Sequence, residues 1–97
     1  MLSGQARRYL RGRAHGLDPA VQVGKAGLTA PVAESIDVSL RAHELIKVRV
    51  AADRDERDEL AAAIEQRLGC ECVGIIGRMV ILYRQHEDPD RRRIELP

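Results

Sequence analysis

The spacing of the apolar residues switches twice in mid-chain, and that switch limits the folds available. Ile46-Lys47-Val48-Arg49-Val50 alternates with period two, the pattern of a half-buried strand. Ile46, Val48 and Val50 form its apolar face, and Lys47 and Arg49 share the other. Before it, Val32, Ile36 and Leu40 recur every four residues behind a Thr29 cap, with Pro31 tolerated in the first helical turn. After it, Asp53-Arg-Asp-Glu56 resembles a capping box with Asp in the Ser/Thr position. Leu60, Ala63, Ile64, Arg67 and Leu68 continue that segment as a helix, and Gly69 stands where a left-handed turn ends one.

The flanks extend this alternation of helix and strand. Ser3 caps a helix over residues 4–14 carrying Ala6, Tyr9, Leu10 and Ala14 at helical spacing, ended by Gly16 and Pro19. Ala20–Val23 is a short extended run stopped by Gly24. Cys70–Ile76 and Met79–Arg84 are β-rich runs around Gly77-Arg78, a two-residue hairpin. The order α-β-α-β-α-β-β predicts an α/β fold, an α+β two-layer arrangement with a four-stranded mixed sheet. Its helices are expected to cover one face of the sheet well. At 97 residues this is expected to be one domain, 1–97, with a core over 2–84. The polar, basic tail 85–97 is expected to hang loose or add a short edge segment.

Composition narrows the function. The only aromatic residues are Tyr9 and Tyr83, which leaves no rings for a base-stacking sheet, an aromatic cage or a proline-peptide groove. The net charge of +1 conceals a segregation. Residues 1–50 hold eight Lys/Arg against four acids, 51–71 hold three against seven, and 72–97 hold five against four. A basic half beside an acidic stretch suits a polyanion binder with an oriented footprint. The acids at the start of the third helix also favour its positive end, which gives them a structural purpose.

Gly24-Lys25-Ala26-Gly27 lies between a strand and a helix N-terminus. Glycines there permit positive φ and close backbone approach, and the helix end favours phosphate. Gly27 is followed by Leu28-Thr29, so no P-loop ending is present and nucleotide hydrolysis is disfavoured. Arg7, Arg8 and Arg11 on the first helix, Lys47 and Arg49 on a strand, Arg78 at the hairpin tip and Arg84 at the end of the last strand supply further cations. Catalysis is not expected. His15, His43 and His86 are scattered, and the first two sit near helix ends. Ser3 and Ser35 lack a nucleophile setting. Cys70 and Cys72, taken as strand neighbours on opposite faces, are expected to stay unpaired, as small thiols in a reducing compartment. No metal, cofactor or small-molecule substrate is expected. The longest apolar runs, Leu60–Ile64 and Met79–Tyr83, are too short to cross a bilayer, and no apolar run follows Arg7-Arg8 as in a secretion signal. The expectation is a cytoplasmic monomer.

Four blocks carry a family resemblance: Leu2–Leu10 (LSGQARRYL), Val21–Thr29 (VQVGKAGLT), His43–Arg49 (HELIKVR) and Ile76–Arg84 (IGRMVILYR). In this order they resemble the bacterial YhbY-like RNA-binding proteins, the stand-alone form of the chloroplast RNA splicing and ribosome maturation (CRM) domain. The tail Arg93–Pro97 is similar to the family as well. The resemblance implies a fold akin to the C-terminal domain of translation initiation factor three. It also implies RNA as partner, specifically rRNA in precursors of the large ribosomal subunit. The family's G-x-x-G loop falls on Gly24, Lys25, Ala26 and Gly27, and its basic surface on Arg7, Arg8, Arg11, Lys47, Arg49 and Arg84. Asp18 departs from a position that is often basic in the family, so the footprint is not extended across that turn. The competing reading is a protein-interaction adaptor that docks through a sheet edge or the acidic third helix.

Overall fold

Each helix starts at a side chain that accepts a backbone N–H at its N-cap. In the computed structural model, which describes residues 2–97, these caps are Ser3 for α1 (Gly4–Ala14), Thr29 for α2 (Ala30–His43) and Asp53 for α3 (Arg54–Leu68). Asp53 accepts from the Glu56 N–H at 2.9 Å. Gly69 ends α3 in the left-handed conformation, φ 62°. Between the helices lie β1 (Pro19–Val23), β2 (Leu45–Val50), β3 (Glu71–Ile76) and β4 (Met79–Tyr83). The expected run at Cys70 therefore begins one residue later, and Arg84 lies just past the last strand.

The strands form one mixed sheet in the order β1-β2-β4-β3. β1 and β2 are parallel, and β4 is antiparallel to both β2 and β3. The crossovers β1-α2-β2 and β2-α3-β3 step the same way across the sheet, and crossovers of one hand then leave both helices on one face. The second crossover skips a position, which the hairpin partner β4 fills.

The main core lies on that face, where Ile46, Val48 and Val50 of β2 and Val80 and Leu82 of β4 meet Ile36 and Leu40 of α2 and Ala61 and Ile64 of α3. Ala33 lies buried on α2 while Val32 is only partly so, and Ala63 of α3 points outward. Cys70 and Cys72 both pack against this core and are unpaired. The expectation of opposite faces is thus corrected, because positions two apart on an extended chain share a face.

Coverage of a single face is also corrected. Leu10 and Ala14 of α1 bury Leu45, Val73, Ile81 and Tyr83 on the other side, and Ile94 of the tail joins them. The tail neither hangs loose nor adds an edge segment. It makes a short 3-10 turn at Pro89–Arg91 and returns to the sheet.

Glu44 holds that return. It is fully buried and is the single described non-glycine residue with positive φ, 64°. Its carboxylate accepts backbone N–H groups from His86 at 2.8 Å, Arg93 at 2.5 Å and Ile94 at 3.1 Å. Its own carbonyl accepts from Arg84 N–H at 2.9 Å. Burial pushes the carboxyl pKa up, but these donors outweigh it and the net position is below 4.5. The strained backbone, worth about 1–3 kcal/mol, is offset by charge-assisted bonds that close both the α2–β2 junction and the tail.

Glu44→Gln is expected to destabilise the fold by about 2 kcal/mol, or about 10 °C in Tm, measured by thermal unfolding at neutral pH. A depressed carboxylate pKa contributes stability that is present above 4.5 and is lost as pH falls through the folded value. The protection of the His86, Arg93 and Ile94 amides, taken relative to their intrinsic exchange at each pH, should therefore fall as pH drops below 4.5 in the wild-type protein.

Candidate nucleic-acid interface

α1 and the tail cover only the half of their face that adjoins the start of β2 and the end of β4. The other half stays open. There one register row crosses all four strands: Gln22 pairs with Arg49, Arg49 with Met79, and Met79 with Ile76. At a strand spacing of about 4.8 Å this row spans roughly 15 Å. Gln22, Arg49 and Ile76 are exposed, Ile76 at 58%. The next row holds Lys47, Ile81 and Gly74. Arg11 lies flat on Gly74, where an added Cβ would come within 2.7 Å of its Cδ.

The Gly24–Gly27 loop stands at the open end of this face. It is a turn closed by Gly27 N–H donating to the Gly24 carbonyl at 3.1 Å. Gly27 has φ 73° and needs to be glycine, whereas Gly24 has ordinary backbone geometry and open space where a Cβ would sit. Among the described residues, no protein group accepts the N–H of Lys25, Ala26 or Leu28. The hairpin tip comes to the same end, since Val50 N–H donates to the Arg78 carbonyl at 2.9 Å and Ala51 N–H to Val23 at 3.4 Å. Lys25 and Arg78 line one shallow depression there, with Asp53, Glu56 and Arg57 on its α3 side. Lys25 also shares a second depression with Glu56, so at this end the loop cation stands beside the first acids of α3, while Arg49 lies on the open sheet row.

The cations singled out in the sequence fall into two groups. Lys25, Arg8 and Arg49 make no ion pair or side-chain hydrogen bond among the described residues, and neither does Arg78. Lys47 reaches the His15 carbonyl at 3.1 Å, which closes the end of α1. Arg7 pairs with Glu71 and donates to the Cys72 carbonyl at 2.9 Å. Arg11 donates to the Val73 carbonyl at 2.8 Å, next to a register shift in β3. Arg84 sits at the opposite end and on the opposite face. It donates to the Leu68 carbonyl and the Asp37 carboxylate, both at 2.9 Å. Burial raises the Asp37 pKa, yet Arg84 and Arg41 bring it below its ordinary 3.8. The structure thus gathers the loop, Lys47, Arg49 and Arg11 on one side, and sets Arg84 apart. Arg78 joins the loop group; its place at a two-residue hairpin tip was the available signal.

Chemistry of other kinds has little support in these residues. Burial pushes the Cys70 thiol up to about 11, and burial likewise raises Cys72, so neither is poised as a thiolate. Among the described residues no cluster of three or more His, Cys, Asp and Glu could hold a metal ion, and no helix is long and apolar enough to cross a membrane. Tyr83 is buried, and Tyr9 lies on α1 with the Arg13 guanidinium 5.9 Å from its ring centroid. No aromatic ring faces the open row.

The pattern of the CRS1/YhbY (CRM) domain matches residues 2–84. The chain belongs to the CRM domain family. A Bacillus subtilis protein named probable RNA-binding protein YqeI is 38% identical to this CRM domain over 98 residues, covering all of both chains. An RNA-binding protein of Haemophilus influenzae is 40% identical, covering 99% of this chain and 95% of its own. The solution structure of protein SAV1595 from Staphylococcus aureus superposes with a TM-score of 0.87 over the whole of both chains at 40% identity. The expected architecture of three helices and a four-stranded mixed sheet holds.

The two glycines of the CRM loop should respond differently to a methyl group. Gly27→Ala is expected to cost about 1–2 kcal/mol in denaturant unfolding, because an L-residue must adopt positive φ. Gly24→Ala is expected to be neutral, or stabilising by up to about 1 kcal/mol through the unfolded chain.

Proposed function

We propose that this CRM domain binds structured RNA at the open sheet end, with rRNA in precursors of the large ribosomal subunit as its target, and acts there as an assembly factor. One observation carries the reading: three cations from three separate segments, Lys25, Arg49 and Arg78, which make no ion pair among the described residues, lie at the sheet end where the loop has N–H donors unused among those residues. Phosphate oxygens are the acceptors that such donors and cations suit. Relatives named as RNA-binding proteins over their full length support the same choice. The ribosomal target is what the family resemblance implies.

In this mechanism Gly24–Gly27 receives the sugar-phosphate backbone against the N-terminus of α2, where the dipole favours negative charge. Arg49 and Arg78 neutralise flanking phosphates, with Lys47 and Arg8 at the margins. Arg7, Arg11 and Arg84 act mainly by holding α1, β3 and the α2–α3 junction in place, since their guanidinium groups are engaged by carbonyls and carboxylates. Met79 and Ile76 offer apolar contact to sugars or base faces, but no ring is available to stack a base. Specificity therefore comes from backbone geometry and RNA shape.

Lys25→Asp combined with Ala26→Asp places two negative charges in the loop without touching the core. Affinity for a structured large-subunit rRNA transcript should fall by about tenfold or more, and the log–log salt slope by roughly 0.7–0.9 for each phosphate no longer neutralised. A folded double variant that binds with wild-type affinity would remove the loop from the interface. Association with ribosomal precursors that persists in a variant unable to bind RNA would favour the adaptor reading, through a sheet edge or α3.

A further inference from the structure

The tail presents an arrangement that the loop-end interface does not use. It lies beyond residues 2–84, the part of the chain that the family pattern matches. Two adjoining depressions at the tail end of the sheet share Arg93. One, of about 420 Å³, also takes Arg41, Arg91 and Arg92; the other, of about 580 Å³, takes Arg13. Against these five arginines the linings hold two carboxylates, Asp18 and Asp90. Asp37 pairs with Arg41, Asp88 lies 3.8 Å from Arg91, and Glu87 and Glu95 are exposed on the same segment. The Arg93 side chain makes no ion pair or hydrogen bond among the described residues.

A polar chain segment with five arginines around it gains little from being fixed, since ordering costs about 1–2 kcal/mol per residue and the charges repel one another. Yet Glu44 receives the backbone of His86, Arg93 and Ile94, Ile94 is buried, and Arg92 Nε donates to the His86 carbonyl at 2.9 Å. The fixed backbone sets Arg91 at the end of the 3-10 turn and Arg93 just past it. Arginines on a backbone fixed in advance have less chain freedom left to lose on binding an anion.

We propose that Arg41, Arg91 and Arg93, with Arg13 beside them, form a second contact for the RNA phosphate backbone at the end of the sheet opposite the Gly24–Gly27 loop. This rests on the RNA-binding reading above. α2 links the two sites and its 14 residues set them about 20 Å apart. The bound RNA must then span about 20 Å, which a structured segment does and an isolated nucleotide does not. Glu44 acts as a positioning residue, through the tail.

Arg91→Gln combined with Arg93→Gln tests this, because both side chains are exposed and the variant keeps the Glu44 bonds. With a structured large-subunit rRNA transcript as probe, affinity should fall about tenfold and the salt slope by roughly 1.4–1.8, two phosphates' worth. Glu44→Gln, at a temperature where it remains folded, should lower affinity several-fold with the slope unchanged, since the arginines remain but their placement is loosened. An arginine pair variant with wild-type affinity and slope, while the Lys25→Asp/Ala26→Asp protein loses binding, would overturn the second site alone. A wild-type protein that fails to bind the transcript would overturn the RNA-binding reading and this site with it.

Discussion

The antiparallel pair β2–β4 is the constraint on which the rest depends. These are the two inner strands: one face of each is buried throughout, and the other is buried at Ile81 and Tyr83 of β4 and at Leu45 of β2, giving way to half-buried Lys47 and exposed Arg49. One face carries Val48, Val80 and Leu82 into the core under α2 and α3; the other carries Leu45, Ile81 and Tyr83 under α1 and Ile94. A chain with so few rings must fill its interior with branched aliphatic side chains, and β-branched residues suit a pleated surface that is packed from both sides. The closing hairpin has to supply β4 before β2 has a second neighbour, so the fold is completed only near its C-terminal end.

This arrangement explains why the exposed chemistry lies where it does. Coverage of the second face is partial: α1 crosses from β3, where Arg7 meets Glu71, to β2, where Lys47 meets the His15 carbonyl. Beyond that line the sheet is bare and its outward row carries Arg49. The parallel strands β1 and β2 end together, so the loop after β1 necessarily stands beside that row, and the β3–β4 tip arrives at the same edge. The exposure of Arg49 beside the loop and the hairpin tip is thus a consequence of topology acting on ordinary strand alternation.

Much of this is legible in the chain itself. Alternation at Ile46–Val50 gives the correct face for every residue of that run, and Ser3, Thr29, Asp53 and Gly69 mark helix ends because their chemistry is local. What escapes reading is non-local. Ala6, Leu10 and Ala14 specify an apolar stripe but not which side of the sheet it meets. Ile94 and Leu96 are two apolar residues in a charged tail, and Glu44 resembles any residue at a helix end until the tail folds over it. The arginines show the same limit: Arg49 and Arg84 look alike in sequence, and only the presence of Asp37 and the Leu68 carbonyl separates a bonded guanidinium from one without an ion pair among the described residues. The two cysteines mislead for a simpler reason, a miscount of the strand period.

The central claim is that RNA lies on the bare half of the sheet beside the loop, and its most direct test is a titration of isotope-labelled protein with a structured rRNA transcript, followed by amide NMR. The account predicts the largest shifts at Lys25, Ala26 and Leu28, whose N–H groups have no acceptor among the described residues, and along the row Gln22, Arg49 and Met79, with Asp55, Asp58 and Glu59 of α3 unmoved. Shifts concentrated on that acidic face of α3, with the loop and the row silent, would contradict it.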